Sequence, residues 1–325
     1  MHTHFVPVDL PDMSYRKGND RWPTIKKVNE TENQVMISGQ IFRTVNHVCW
    51  DMDARLAEMD DEGIAAHVLS PMPELLSHWF EPKDTLEFSK HMNEKLAEMI
   101  SVNANRFYGL GMVPIQEPKL AAAEVRKLKS EFGVHGVEVG SNINGIPIGD
   151  PSFLPFFEAI AEENLAVFIH PIHPVGTDRI VGPNSLRNLI CFPSETGMAT
   201  ASLITGGVIS RFPNIRIAIS HGGGTFASIL PRLTMGWKIF ADYTQLLEKS
   251  PMDYAKQLYF DNLVYDDLTA NHLVSMFGSE QILVGSDYPF IIREKQLEKF
   301  LKRLPLSQVE QEDIKRNNTL RFLGV

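Results

Sequence analysis

Two histidines one residue apart, His2 and His4 in Met1-His2-Thr3-His4-Phe5, stand at the start of the sequence. Side chains alternate along a β-strand, so residues two apart face the same side and two such imidazoles can share one cation. Two ligands do not hold a catalytic metal, which needs a third or fourth nitrogen or oxygen donor and an open position for water or substrate. Suitable side chains recur at the ends of later apolar runs. His170 closes Ala166-Val167-Phe168-Ile169-His170, His221 closes Ile217-Ala218-Ile219-Ser220-His221, and Asp287 closes Ile282-Leu283-Val284-Gly285-Ser286-Asp287. Any one of these alone reads as a polar group at a core boundary. Spread through a barrel-length chain they read as one site, because the C-terminal ends of the strands meet on one face of a (β/α)8 barrel.

The elements that must position them follow from periodicity. Buried parallel strands are short, nearly continuous apolar runs, and these occur at 65–70, 107–114, 133–140, 165–171, 215–222, 258–264 and 281–287. With the strand carrying His2 and His4 the count is eight. Helices are predicted at 85–104, 119–132, 153–163, 195–212, 226–240, 269–276, 293–303 and 308–323. Asp51 is a candidate N-cap for a further helix carrying Met52, Leu56, Met59 and Ile64. Residues 6–50 break this rhythm with Pro7, Pro11, Gly18 and Pro23. They are read as an insertion whose second half, 34–43, is a hairpin about Ser38-Gly39, placed to fold over the barrel mouth. The expectation is a single domain, 1–325, classed as an α/β (β/α)8 barrel with a small β insertion after strand 1. That strand is either unusually short or begins upstream of Met1.

Composition narrows the partners. The 325 residues are 43% hydrophobic and 22% charged, ordinary globular material. A net charge of −9 argues against nucleic acid or an anionic membrane as partner, and leaves an anionic substrate to local arginines. No apolar run reaches the roughly 18 residues of a membrane span. The two cysteines, Cys49 and Cys191, form no framework and are expected to be reduced thiols of a cytoplasmic protein.

The ordered set His2-Thr3-His4, His170-Pro171, Ser220-His221-Gly222-Gly223-Gly224 and Gly285-Ser286-Asp287-Tyr288-Pro289-Phe290 resembles the decarboxylase branch of the amidohydrolase superfamily. The likeness runs end to end and includes Phe42-Arg43, Cys49-Trp50-Asp51, 106–111 and Pro193-Ser194-Glu195-Thr196. Carried over by position, it implies one Zn²⁺, or another divalent ion such as Mn²⁺, held by His2, His4, His170 and Asp287. Three imidazoles and a carboxylate suit such an ion. It implies His221 as the base that activates water at the metal, Arg43 as the substrate-carboxylate arginine, and Phe290 as substrate-binding. Arg232 matches an arginine lent by the neighbouring subunit of a homodimer. The β-run 136–140 holds Glu138 and no lysine, which favours one metal over two, although Glu138 offers an alternative bridge.

The activity so implied is non-oxidative decarboxylation of a small unsaturated or aromatic carboxylic acid, as in aromatic compound catabolism. No flavin, pyridoxal or thiamine motif is visible, so the substrate must supply the electron sink. Two routes stay open: hydroxide generated at the metal with His221 as base adds to the conjugated carbon that bears the carboxylate, or His221 or Asp287 protonates that carbon directly. A mononuclear metal-dependent hydrolase of a small cyclic amide, lactone or related acid is the alternative, and a non-catalytic metal-binding protein a second. The sequence departs from the family pattern at Ile172-His173-Pro174 and Ile291-Ile292-Arg293, so metal and base are kept while the pocket wall changes.

Overall fold

The computed structural model describes residues 1–16 and 21–325; Gly18, one of the breakers counted in the insertion, lies outside the described residues. Strand β1 (His2–Phe5) is followed by an antiparallel sheet of β2 (Thr24–Lys27), β3 (Glu32–Ile37) and β4 (Gln40–Asn46). The chain continues through β5 (His67–Pro71), β6 (Phe107–Gly111) and β7 (Gly136–Gly140). A short hairpin of β8 (Asn142–Ile143) and β9 (Ile146–Pro147) precedes β10 (Ala166–His170), β11 (Arg216–Ile219), β12 (Tyr259–Asp261), β13 (Ile282–Leu283) and β14 (Gly285–Tyr288).

The parallel strands pair in the order β13-β12-β11-β10-β7-β6-β5-β1-β14. Since β13 and β14 are two halves of one strand interrupted at Val284, the sheet closes on itself as an eight-stranded barrel with helices outside. The first half pairs with β12 and the second with β1, which is why the predicted continuous strand at 281–287 is split. The lumen is filled by side chains: Val68, Leu110, Ala166, Phe168, Ala218 and Leu283 are all buried in one cluster. Phe168 projects to the same side as His170 two residues on, and its ring lies 4.9 Å from that of His2, forming a floor beneath the histidines.

Asp51 caps the helix Met52–Asp61, its carboxylate accepting from the backbone N–H of Asp53 and Ala54 at 3.1 and 3.0 Å. Such a cap contributes about 1 kcal/mol. Two predicted helices are corrected. The 195–212 element is two helices, Phe192–Thr205 and Val208–Arg211, broken at Gly206-Gly207, where a Cβ on Gly206 would come within 1.8 Å of the Gly149 carbonyl. The 293–303 helix begins only at Leu297, because the Arg293 guanidinium is engaged by Glu62 at 2.8 Å and stacks on Tyr288.

In the insertion the hairpin forms on a two-residue turn with Ser38 and Gly39 both left-handed, at φ 51° and 69°. The extra strand β2 was not legible, since Thr24-Ile25-Lys26-Lys27 lacks a clean alternation. Val35, Val45 and Trp22 are buried against the barrel, Trp22 stacked on Phe80 at 3.6 Å.

Candidate active site

Each of the three candidate ligand imidazoles, His2, His4 and His170, is pinned through one nitrogen so that the other faces a common centre. His2 donates from Nδ1 to Asp261 Oδ2 at 2.7 Å. His4 Nδ1 donates to the Pro71 carbonyl at 3.0 Å, and His170 Nδ1 to the Pro171 carbonyl at 2.9 Å. These bonds fix the Nδ1–H tautomer in all three rings and leave a lone pair on each Nε2. The lone pairs converge: His2 Nε2 and His4 Nε2 are 3.1 Å apart, and His170 Nε2 is buried with no hydrogen-bond partner. Two neutral Nε2 acceptors this close repel unless a cation lies between them. Tetrahedral ligation with Zn–N bonds of the usual length sets neighbouring nitrogens about 3.3 Å apart.

Asp287 completes the cluster from the end of β14, its Oδ1 at 3.2 Å from His4 Nε2 and 3.5 Å from His2 Nε2. Burial opposes the ionised carboxylate, but the His4 contact and the surrounding histidines outweigh it and hold the Asp287 pKa at about 2. Burial likewise opposes charge on His4, yet Asp287 and Glu138 raise its pKa. The negative potential that draws a proton to His4 draws a metal cation as well. His2, His4, His170 and Asp287 each offer one ligand atom within 4.8 Å of the others, a site for one divalent ion.

His221 stands beside this cluster, its ring centroid 5.1 Å from those of both His2 and His170. Its Nδ1 is buried without a partner, and burial, reinforced by His2, pushes its pKa down to about 4. The imidazole is therefore neutral near pH 7 and able to accept a proton. Its backbone is left-handed, φ 53°, and is followed by Gly222, Gly223 and Gly224 at φ 60°, 77° and 57°. The glycines let the backbone reverse against packed neighbours: a Cβ on Gly222 would lie 2.4 Å from Val264 Cγ1, and one on Gly224 2.0 Å from the Pro193 carbonyl.

Arg43, on β4, reaches the same region. Its guanidinium lies 4.2 Å over the Phe290 ring, whose other neighbour is the His4 ring, stacked at 5.3 Å. Burial lowers the Arg43 pKa while Asp287 favours its charge. No described residue gives it a hydrogen bond or ion pair. Arg232 is not brought to this cluster; it is exposed on the helix Phe226–Ile239, beside exposed Met235, Ile239 and Phe240.

Glu138 is buried with both oxygens unpartnered, and burial raises its pKa to about 7. It approaches His4 at Nδ1, 3.7 Å away, the nitrogen turned from the cluster, so nothing in the geometry makes it a bridge.

Sequence reasoning missed Asp261. It is fully buried at the end of β12, binding His2 through Oδ2 and accepting from Gly222 and Leu263 N–H through Oδ1 at 2.9 and 3.1 Å. Burial raises its pKa, but these bonds win and keep it below the usual value. The available signal was the one used elsewhere, a carboxylate closing an apolar run, here Leu258-Tyr259-Phe260-Asp261. A carboxylate behind a metal-bound histidine typically contributes ten- to a hundredfold in metal affinity, so Asp261→Ala is expected to weaken metal retention by about that factor in chelator competition. Glu195, another buried acid, accepts from Asn142 Nδ2 at 2.9 Å and from Val175 N at 3.3 Å, tying the loops after β7 and β10 together.

A closed parallel barrel with a His-x-His strand, a strand-end histidine and a strand-end aspartate around one cation site is the architecture of a metal-dependent barrel enzyme. The amidohydrolase family model matches residues 1–325, and the chain belongs to that family. It is 34% identical over 330 residues to the 2-amino-3-carboxymuconate-6-semialdehyde decarboxylase of Dictyostelium discoideum, covering 100% of this chain and 91% of that protein. Among solved structures it resembles 5-carboxyvanillate decarboxylase from Sphingomonas paucimobilis, with TM-score 0.78 and 24% identity over 85% of this chain and 84% of that one. It also resembles a dihydroxybenzoic acid decarboxylase from Polaromonas sp. holding manganese and an inhibitor, with TM-score 0.75 and 20% identity over 85% and 87%. Among the described residues, no helix is long and apolar enough to cross a membrane.

Proposed function

We propose that the protein is a metal-dependent, non-oxidative decarboxylase of a small unsaturated or aromatic carboxylic acid. The observation that carries this is Arg43: a guanidinium with no hydrogen bond or ion pair to any described residue, packed on Phe290 at the edge of the His2–His4–His170–Asp287 cluster, is a receptor for a substrate carboxylate. The 34% relationship to a decarboxylase supports the reaction class.

We assign the ligand roles to His2, His4, His170 and Asp287, and the bound ion to zinc, with manganese as in the Polaromonas relative the other choice. When bound, that ion supplies Lewis-acid polarisation of a substrate oxygen or of water. The chain does the rest. Arg43 binds and orients the acid, Phe290 walls it in, and Phe168 and the buried histidines keep bulk water out. His221 first takes up a proton from water and delivers it to the conjugated carbon that bears the carboxylate, making that carbon tetrahedral while its π electrons move into the conjugated system. The C–C bond to the carboxylate then breaks, CO₂ leaves, and the electron pair of that bond restores the double bond, so that acid anion plus proton gives CO₂ and the shortened product. Asp287, held ionised, is the poorer proton donor. A hydrolase of a cyclic amide, lactone or related acid would use the same ligand cluster and His221, and the 34% relationship to a decarboxylase weighs against it. The assay is a screen of carboxylated muconate semialdehydes and hydroxybenzoates, followed at their ultraviolet bands; loss of a substrate band only with metal-loaded protein is the expected result, and hydrolysis of lactones alone would overturn the reading.

The domain reading is one barrel, 1–325, with the insertion at about 6–50 as a cover over the active-site face, since β4 carries Arg43 to the cluster. Arg232 is assigned to the active site of a partner in a homodimer, supported by the exposed apolar residues around it. Arg43→Ala should raise KM more than it lowers kcat, and activity per mole should fall on dilution below the dimer dissociation constant; a fully active monomer would remove Arg232 from the site. We place the enzyme in the cytoplasm, a reading supported by Cys49 and Cys191 being free, buried thiols.

A further inference from the structure

The strand that presents Asp287 is not held to its neighbour at the point where Asp287 stands. On β1, His2 pairs with Gly285 and the next residue, Thr3, pairs with Tyr288, so Ser286 and Asp287 of β14 are left out of the pairing. Asp287 itself is left-handed, φ 61°, a strained conformation for a residue with a side chain. A bulge of this kind re-aims a side chain, and contacts outside the ladder must then hold it. Tyr288 is the residue at which the pairing resumes.

Arg55 reaches this place from the helix Met52–Asp61 and is fully buried. Its guanidinium carbon lies 4.7 Å over the Tyr288 ring. Its Nη1 donates to the His4 carbonyl at 3.0 Å and to the Val48 carbonyl at 3.3 Å, and its Nε to His67 Nδ1 at 3.1 Å. Among the described residues no carboxylate pairs with it, and its Nη2 has no hydrogen-bond partner. Burial lowers its pKa to about 10, which leaves it charged at pH 7. The same burial, with Arg55 alongside, keeps His67 neutral, so that His67 Nδ1 accepts. Burying a cation without a counter-ion is costly, and a positive charge here also works against a dication bound nearby. What the guanidinium supplies is therefore geometry: a rigid planar fork that ties the backbone of one ligand, His4, to the side chain next to another, Asp287. Through Val48 it ties both to the turn His47–Cys49, which follows the strand carrying Arg43.

We propose that Arg55 is a positioning residue for the metal: from the helix outside the barrel it sets the separation of His4 and Asp287, and with it the affinity and geometry of the site. This rests on the reading of both residues as ligands. A second guanidinium lies on the Tyr288 ring, that of Arg293 at 4.6 Å, but its side chain is held by Glu62 and bonds no ligand strand. Arg293 can steady the ring without fixing its distance from His4.

The test is to load the full chain with Co²⁺, reading affinity by chelator competition and ligand geometry by the visible d–d bands, with a thermal melt of the metal-free protein alongside. Arg55→Lys keeps the charge and most of the volume but loses the fork. It should lower Co²⁺ affinity about tenfold or more and change the visible spectrum. Arg293→Gln should leave both unchanged. A role in stability alone would lower the melting temperature of Arg55→Lys and leave affinity and spectrum as in the wild type, and that result overturns the proposal. So does an equal loss in Arg293→Gln. If Arg55→Lys fails to fold, His67→Leu decides, since it removes the acceptor of Nε and leaves Arg55 in place: weaker Co²⁺ binding with a changed spectrum supports the proposal, and wild-type values overturn it. A wild-type protein that binds no Co²⁺ sinks the ligand reading and this proposal with it, whereas Co²⁺ bound equally by wild type and Arg55→Lys sinks this proposal alone.

Discussion

Replacing His221 with alanine is expected to leave the metal bound and to lower kcat by about 1000-fold or more, the scale for losing a general acid–base group together with its positioning. His221 is absent from the group of converging ligand atoms, so its loss removes no ligand. Its ring nevertheless sits 5.1 Å from two ligand rings, and its neutral form at pH 7 leaves it free to take up a proton and return it to carbon. The chain at 222–224 packs too closely against Val264, Phe260 and Pro193 for side chains at the glycines, and alanine occupies less space at 221 than histidine on the same left-handed backbone, so the substitution disturbs the fold little. Metal content by elemental analysis, measured beside kcat, separates the two effects. Near-normal turnover with metal in place would mean that another group moves the proton.

Asp287→Ala is expected to act the other way, losing most of the metal and all turnover with it. Asp287 is the one anionic member of the ligand set, and its carboxylate is within 3.5 Å of two ligand nitrogens. Without it, three imidazoles are left with Nε2 lone pairs facing one another and no charge to offset a dication. Purified wild-type protein should carry near one equivalent of metal and the variant far less. A wild-type content near two would bring Glu138 back as a ligand, against its position behind His4.

The residues of the site were legible because strand-end position is written in the period of the chain. An apolar run closed by His or Asp puts that side chain at the barrel mouth, and His170, His221 and Asp287 each obey this. Arg43 was found only by family likeness: nothing local distinguishes a hairpin arginine over Phe290 from a solvated one. Asp261 carried the same strand-end signal but was passed over, because its role is to orient His2 and an orienting carboxylate has no spacing of its own. The break of the last strand at Val284 depends on which neighbour each half finds, a property of the closed sheet.

Turnover in D₂O of whichever acid the screen identifies tests the central claim most directly. One equivalent of CO₂ per product, with one deuterium on the carbon that carried the carboxylate, is the predicted result, dependent on both bound metal and His221. A product that has gained the elements of water and released no CO₂ would contradict it and make the protein a hydrolase.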